Sequence, residues 1–150
     1  MNYIREAEQV LWYYRDLHDS IERMDRQIAK LIGKAGPKNI SAMVTDEEKL
    51  GDGHHDEIIN ILFEIQQLSE NRANTEAELL KVDCLLEGIT KQADCENYAM
   101  VLKAWYVEKK DRHEIARELS FSERHMYRIK NKAIRKFAVR LFGIEAMKVV

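Results

Sequence analysis

Two rows of apolar residues at heptad spacing run through the N-terminal part of the chain, and they restrict that part to long, packed helices. Each row alternates spacings of three and four residues, which keeps its members on one helical face. The first row is Tyr3, Ala7, Val10, Tyr14, Leu17, Ile21, Met24, Ile28 and Leu31. The second is Ile58, Ile61, Ile65, Leu68, Arg72, Thr75, Leu79, Val82, Leu86 and Ile89. Two helices of similar length predict an antiparallel hairpin with arms roughly 45 to 50 Å long.

The segment between the rows, at about 33–56, sustains no apolar period. Gly33, Gly36 and Pro37 stand at its start, where glycine permits a left-handed helix cap and proline ends helical hydrogen bonding. Residues 1–92 are therefore predicted to be a coiled-coil-like hairpin with a loop at about 33–56. With one proline, 33% charged and 45% apolar residues, the chain is predicted to be all-α.

The C-terminal part begins with a capping signal. Asp111 is predicted to accept a hydrogen bond from the Glu114 amide, while the Glu114 carboxylate returns to the Asp111 amide, as in a capping box. This cap would open a helix over 112–119. In the turn Ser120-Phe121-Ser122, the Phe121 ring is predicted to enter the core and Ser122 to cap a second helix that begins at Glu123.

A third helix is predicted upstream of this pair. Its apolar face comprises Tyr98, Val101, Leu102, Trp105 and Tyr106, and we interpret these aromatic side chains as core rather than as platforms for base stacking. Residues 96–142 would then form a three-helix unit of the helix-turn-helix type, followed by a tail at 143–150. The polar stretch 90–97 is either a short turn or a bend in a continuous helix.

The second helix of the pair has two contrasting faces. Its apolar face comprises Met126, Ile129, Ala133 and Phe137. The opposite face comprises Arg124, Arg128, Asn131 and Arg135, with His125, Tyr127 and Lys132 on its flanks. Arginine pairs bidentately with guanine and asparagine with adenine in the major groove, whereas Lys132, Lys136 and Arg140 suit phosphate contacts. The alternative interpretation is a solvated face of an ordinary amphipathic helix.

Charge is divided unevenly along the chain. Residues 101–150 carry 13 Lys and Arg against 6 Asp and Glu, a net charge of +7, while residues 1–100 carry 11 against 20, a net charge of -9. The overall charge of -2 therefore conceals a basic end. Such a division predicts that the C-terminal end faces nucleic acid and that DNA repels the other end.

Residues 98–137 resemble the helix-turn-helix of the bacterial sigma-factor region that reads the -35 promoter element. The similarity lies in E-I-A followed by S-E-R-x-x-Y-R. The run SFSERHMYRIKNKAI resembles more closely that of phage-encoded sigma-like late transcriptional regulators of the ArpU and RinA type. Where sigma-type motifs commonly carry a glycine in the turn before this pair of helices, the chain has Glu108-Lys109-Lys110.

This resemblance implies a sequence-specific activator of phage late genes that binds double-stranded DNA and acts with host RNA polymerase. Carried across by position, the DNA-facing residues would be Ser122, Glu123, Arg124, Tyr127, Arg128 and Asn131. To these the helical face adds His125, Lys132 and Arg135.

The oligomeric state and the function class have alternatives. Two helices leave part of their apolar width uncovered, so the arms pack either on the DNA-binding unit or on another chain; we favour a homodimer through the N-terminal helices. Polar Arg72 and Thr75 in the second row either specify register or mark a drift to the surface. Besides a regulator, the chain could be a DNA-packaging subunit resembling small terminase or a coiled-coil adaptor that does not bind DNA.

Catalytic and metal chemistry have little support in the sequence. Cys84 and Cys95 form no C-x-x-C pair, so free cysteines are expected, and His54, His55 and Asp56 make a poor metal set. With no catalytic motif, we expect a non-enzyme without a cofactor or a metal. No membrane segment or signal peptide is recognised, which predicts a cytoplasmic protein.

Overall fold

All regular structure in the described part of the chain is helical. The structure, a computed structural model, describes residues 2–36 and 52–148, and only the backbone of 52–55. The described residues form six α-helices: α1 (Tyr3–Trp12), α2 (Tyr14–Ala35), α3 (Asp52–Thr90), α4 (Tyr98–Leu102), α5 (Arg112–Glu118) and α6 (Glu123–Phe142). A π-helical turn, Lys103–Val107, continues α4, and a 3₁₀ helix, Gly143–Met147, follows α6. The predicted all-α fold class is confirmed.

The predicted first helix is divided at Tyr13. This residue has φ -91° and ψ 0°, although its amide still bonds the carbonyl of Gln9 at 3.0 Å. Neither glycine nor proline occurs between Tyr3 and Ile32, so no helix-breaking residue accounts for the division. It separates α1, which packs into the C-terminal core described below, from α2.

Helices extend into both ends of the segment that was predicted to be a loop, at about 33–56. Helix α2 continues to Ala35, where Gly36 follows with φ +71°, a left-handed conformation that suits glycine. Helix α3 already begins at Asp52. Residues 37–51 of the predicted loop lie outside the described residues.

The described chain divides into two compact units. The core unit comprises residues 1–16 and 79–150, and the arm unit comprises residues 17–78. This division differs from the predicted boundary between residues 92 and 96, because α1 and the C-terminal end of α3 belong with the three helices of the predicted DNA-binding unit. Local spacing predicts helices well, but it does not predict which of them share a core.

The core unit is built around Phe137 of α6. Ala7 and Leu11 of α1 are fully buried in the same cluster as Phe137, together with Leu86 of α3 and Leu102 of α4. A second cluster joins the π-helical turn to α5 and α6 through Ala104, Ile115, Ala116 and Met126. Packing of α1 on α6 and on the π-helical turn that continues α4 thus accounts for the N-terminal end of the first apolar row.

Two tyrosine hydroxyls hold α1 and the start of α2 within the core unit. Tyr106 donates a hydrogen bond to Glu8 Oε1 at 2.9 Å, and Tyr14 donates to Asp83 Oδ1 at 2.7 Å. Desolvation and the neighbouring carboxylate raise the pKa of Tyr106 well above its ordinary value, and the same causes raise the pKa of Tyr14 to about 12. Both phenols therefore remain protonated donors at neutral pH.

In the arm unit, the two polar residues of the second row, Arg72 and Thr75, make defined contacts. Arg72 contacts Asp25 of α2 and, at 2.9 Å, Glu76 Oε2 of its own helix. The Thr75 hydroxyl bonds the Asn71 carbonyl oxygen at 2.8 Å. Because Arg72 is half-buried and contacts α2 rather than turning to solvent, the contact favours the interpretation that it specifies pairing. The antiparallel hairpin as a whole stays a prediction.

The boundary after α3 is a short turn rather than a bend in a continuous helix. Asp94 has φ +64°, and the Cys95 amide bonds the Gln92 carbonyl oxygen at 3.2 Å. Cys95 is buried there and, like exposed Cys84, is a free cysteine. At the other end of the unit, the predicted tail at 143–150 contains the 3₁₀ helix, whose Ala146 is buried in the Phe137 cluster.

Candidate nucleic-acid interface

Side-chain caps begin both α5 and α6. Asp111 caps α5 as predicted, but its carboxylate accepts from the His113 amide at 3.4 Å, so the predicted Glu114 donor was wrong. An aspartate at this position can reach either of these two amides. Ser122 caps α6 by accepting from the His125 amide at 3.2 Å, and the predicted start of α6 at Glu123 is confirmed.

The turn between α5 and α6 is fixed by backbone bonds. The Ser120 amide bonds the Arg117 carbonyl oxygen at 3.2 Å, and the Phe121 amide bonds the Ala116 carbonyl oxygen at 2.8 Å. This pair of bonds is a Schellman motif, with Ser120 at φ +57° in the position that usually holds glycine. Half-buried Phe121 packs on the cluster that contains Ala116, so the turn sets the angle between the two helices.

Replacing Ser120 with glycine is expected to stabilise the protein by up to about 1 kcal/mol. Glycine removes the steric cost of the left-handed conformation. Part of this gain is offset because glycine raises the conformational entropy of the unfolded chain. Urea unfolding followed by circular dichroism measures the change. Ser120→Ala is the matched control, because it removes the hydroxyl and keeps the β-carbon. Equal stabilisation by alanine would show that backbone strain is not the cause.

The turn before α5 takes a left-handed conformation without a glycine. Lys109, in the segment where sigma-type motifs commonly carry glycine, has φ +54°. The following amide, of Lys110, bonds the Ala104 carbonyl oxygen at 3.0 Å. Lys110 Nζ lies 3.1 Å from Glu108 and 3.2 Å from Glu118, and these hydrogen bonds raise the pKa of Lys110. The chain thus departs from the sigma-type sequence pattern and still makes a tight turn.

The two faces of α6 are separated as predicted. Met126, Ala133 and Phe137 are buried, and Ile129 is half-buried. Helices α1, α4 and α5 pack on α6. The exposed side chains on the opposite side are Arg124, Arg128, Asn131, Lys132 and Arg135, which we call the basic face. Within residues 2–36 and 56–148, none of the cations of the basic face forms an ion pair, so they are available to an external anion.

The other predicted site residues are engaged in intramolecular contacts. Ser122 is the cap of α6, and the Glu123 carboxylate pairs with His113 Nδ1. The His125 ring packs edge-on against Phe121, with centroids 4.6 Å apart. Half-buried Tyr127 accepts a hydrogen bond from Arg112 through its hydroxyl, which raises the pKa of Arg112.

Lys136 and Arg140, which were predicted to contact phosphates, lie against other parts of the protein. Lys136 Nζ lies 3.3 Å from Cys95 Sγ and 6.0 Å from the centroid of the Tyr98 ring. Arg140 lies against the backbone of α3, where a β-carbon on Gly88 would come within 2.7 Å of Nη1. Both corrections have the same cause: at 100° per residue these positions fall closer to the apolar face than to the basic face.

Sequence reasoning missed a cluster of aromatic and basic side chains beside α6, which we call the aromatic-basic pocket. It has a volume of about 330 Å³ and is lined by Trp12, Trp105, Tyr127, Lys109, Lys110, Arg112 and Asp111. Trp105, predicted to be core, packs on both hydrophobic clusters but is only half-buried. No sequence signal could have found the pocket, because Trp12 comes from α1 and the other residues lie more than ninety positions later.

The metal and membrane expectations concern the residues that the structure describes. Within them, no group of three or more His, Cys, Asp or Glu side chains is arranged to hold a metal ion. The side chains of His54 and His55, which the metal hypothesis named, lie outside the described part. None of the described helices is long and apolar enough to cross a membrane.

No protein-family model, curated protein or solved structure matches the chain.

Proposed function

We propose that the protein is a sequence-specific transcriptional regulator of phage or prophage origin that binds double-stranded DNA through α6. The observation that carries the proposal is the basic face: Arg and Asn side chains stand exposed on one side of a helix whose opposite side is anchored in the core. A helix held in this way can enter the major groove as a rigid body. Rigid placement favours base recognition because bidentate hydrogen bonds require fixed geometry.

The residues of the basic face have different roles in this proposal. Arg124, Arg128, Asn131 and Arg135 read base edges, since they lie together on the exposed side of α6 opposite its apolar face. Lys132 contacts phosphates and fixes the position of the helix on the duplex. Ser122, Glu123, His125 and Tyr127 act indirectly, because their contacts position α6 rather than leaving them free for bases.

The division of charge supports the same orientation. Residues 2–16 and 79–148, which form the core unit, carry 17 Lys and Arg against 13 Asp and Glu, a net charge of +4, while residues 17–78 carry 7 against 13, a net charge of -6. The net positive charge would draw the core unit to DNA. The helices of the arm unit then serve for self-association or for contact with host RNA polymerase. Exposed Ile32, Ile59 and Phe63 in the arm unit support such a protein-binding role. In this proposal the protein activates late genes in the cytoplasm, without a catalytic activity or a cofactor.

Selection of binding sites from random duplex DNA tests the proposal. The full chain is used at about 0.15 M salt, and the mass of the complex is measured together with its affinity. One enriched motif is expected, and an inverted repeat bound by a dimer would agree with the regulator. Direct repeats bound by a ring would indicate a packaging subunit instead. No enrichment would contradict sequence-specific reading by the chain alone.

A further inference from the structure

Both tryptophans of the chain line the aromatic-basic pocket of the core unit. Trp12 is 46% exposed, a large fraction for an indole that lies beside a hydrophobic core. Trp105 is half-buried, and its ring packs edge-on against Tyr127 with centroids 5.3 Å apart. Both indoles therefore line the pocket, and each ring keeps part of its surface accessible to a ligand.

Cations accompany these rings. Lys109 Nζ lies 4.2 Å from the centroid of the Trp12 ring, and Lys130 Nζ lies 4.8 Å from that of Trp105. Arg112 is bonded to the Tyr127 hydroxyl. In the described part of the chain, Lys109, Lys130 and Arg112 have no carboxylate partner, unlike Lys110, which is bound to Glu108 and Glu118. The Asp111 carboxylate also lines the pocket and its charge acts on Arg112, so the positive charge beside the aromatic surface is only partly compensated.

A second pocket adjoins the first. It has a volume of about 250 Å³, and both indoles line it together with Arg5, Lys130 and Glu8. The Glu8 carboxylate accepts the hydrogen bond from the Tyr106 hydroxyl. Each pocket therefore combines the same aromatic wall with cations of its own. Two adjacent pockets of this kind suit consecutive units of a chain that alternates flat rings with negative charges.

The geometry points to a nucleotide site: we infer that the aromatic-basic pocket binds an unstacked base against Trp12 and the attached phosphate through Lys109 and Arg112. Stacking on aromatic rings and neutralisation by cations are the two interactions by which proteins hold single-stranded nucleic acid. The site is separate from the basic face of α6, and the inference does not rest on the proposed function. The nucleotide belongs either to an unpaired strand or to a free mononucleotide.

Tryptophan fluorescence tests this inference directly, because both fluorophores line the pocket. The full-length protein is titrated with a single-stranded thymidine oligonucleotide, with adenosine monophosphate and with a random-sequence duplex. Saturable quenching by the single strand, stronger than that by the duplex, is expected because duplex bases are already stacked. Saturation by the mononucleotide at similar concentrations would identify a free nucleotide, and quenching by the strand alone would identify nucleic acid.

Variants separate stacking from nonspecific attraction. Trp12→Ala is expected to weaken binding of a labelled single strand roughly tenfold, while Trp12→Phe retains most of the affinity. The matched control is Tyr13→Ala, which removes a neighbouring aromatic side chain that is 53% exposed and does not line the pocket. Lys109→Ala should also weaken binding, whereas Lys103→Ala, an exposed lysine outside the pocket, should not. Circular dichroism checks that each variant is folded.

Three results would overturn the inference. They are the absence of quenching by both the strand and the mononucleotide, equal quenching by strand and duplex, and equal loss of affinity in the Trp12 and Tyr13 variants. Arg128→Ala should leave single-strand binding within about twofold, because one exposed charge away from the pocket contributes little. The pocket inference is therefore tested by single-strand binding, and the proposed duplex recognition by α6 is tested separately by selection of duplex sites.

Discussion

Replacing Ile115 with aspartate is expected to unfold the core unit, with a loss of at least about 4 kcal/mol in its free energy of unfolding. Ile115 is 1% exposed and lies among Ala104, Ala116 and Met126. A carboxylate in that position would lose its hydration, and no cation belongs to the buried cluster to compensate it. A loss of this size approaches the whole stability of a small domain. Circular dichroism during thermal unfolding would show a noncooperative or absent transition.

The control for this variant is Glu114→Asp. Glu114 is the exposed neighbour of Ile115 on α5, and the change introduces aspartate into the same helix while keeping the charge constant. Its unfolding free energy should change by less than about 0.5 kcal/mol. A native helical spectrum and an unchanged melting temperature for Ile115→Asp would show that the assigned buried face of α5 is wrong.

Arg128→Ala is expected to weaken binding to the selected DNA site by about 1 to 3 kcal/mol, which is the value of one good bidentate contact to a base. Specificity should relax at a single position of the site. The fold should be unaffected, because Arg128 is exposed and has no ion pair within the described residues. Equilibrium binding to the selected site and to single-base variants of it would measure both effects. Equal losses on selected and random DNA would contradict base reading by Arg128.

Lys132→Ala provides the contrasting measurement on the same helix. Because phosphates are present in every DNA sequence, this variant should weaken binding to all duplexes similarly. It should also reduce the slope of log affinity against log salt concentration by about one unit. Lys91→Ala is a control outside α6, at an exposed lysine that pairs with Glu87 at 3.4 Å, and should leave the slope unchanged. If Lys91→Ala reduced the slope as much, the binding surface would extend beyond α6.

The local features of the candidate site could be predicted because each depends on residues within one or two helical turns. Ser122 caps α6 since its hydroxyl reaches an amide three residues ahead. The basic face follows from helical periodicity: Arg124 and Arg128 are four residues apart and lie together. The same periodicity explains the least accurate assignments, Lys136 and Arg140, which lie closer to the apolar side than their charge suggested.

Which helices pack against each other, when they are far apart in the sequence, could not be predicted in this way. The heptad row places Ala7 and Leu11 near one buried face, yet nothing in its spacing indicates that they pack beside Phe137. The division at Tyr13 has no sequence signal either, since neither glycine nor proline marks it. Packing energy depends on which surfaces meet, and this information is spread over residues far apart in sequence.

Local sequence patterns are enough to predict that the chain is helical, where most helices begin, and that one side of the segment 123–142 is basic. These properties come from local hydrogen bonding and from the alternation of apolar and polar residues. The packing of α1 in the core unit, and the position of Trp12 with its ring centroid 4.2 Å from the ammonium nitrogen of Lys109, follow instead from the three-dimensional fold. Burial and cation–π attraction act through space, so they join residues whose positions along the chain carry no sign of the contact.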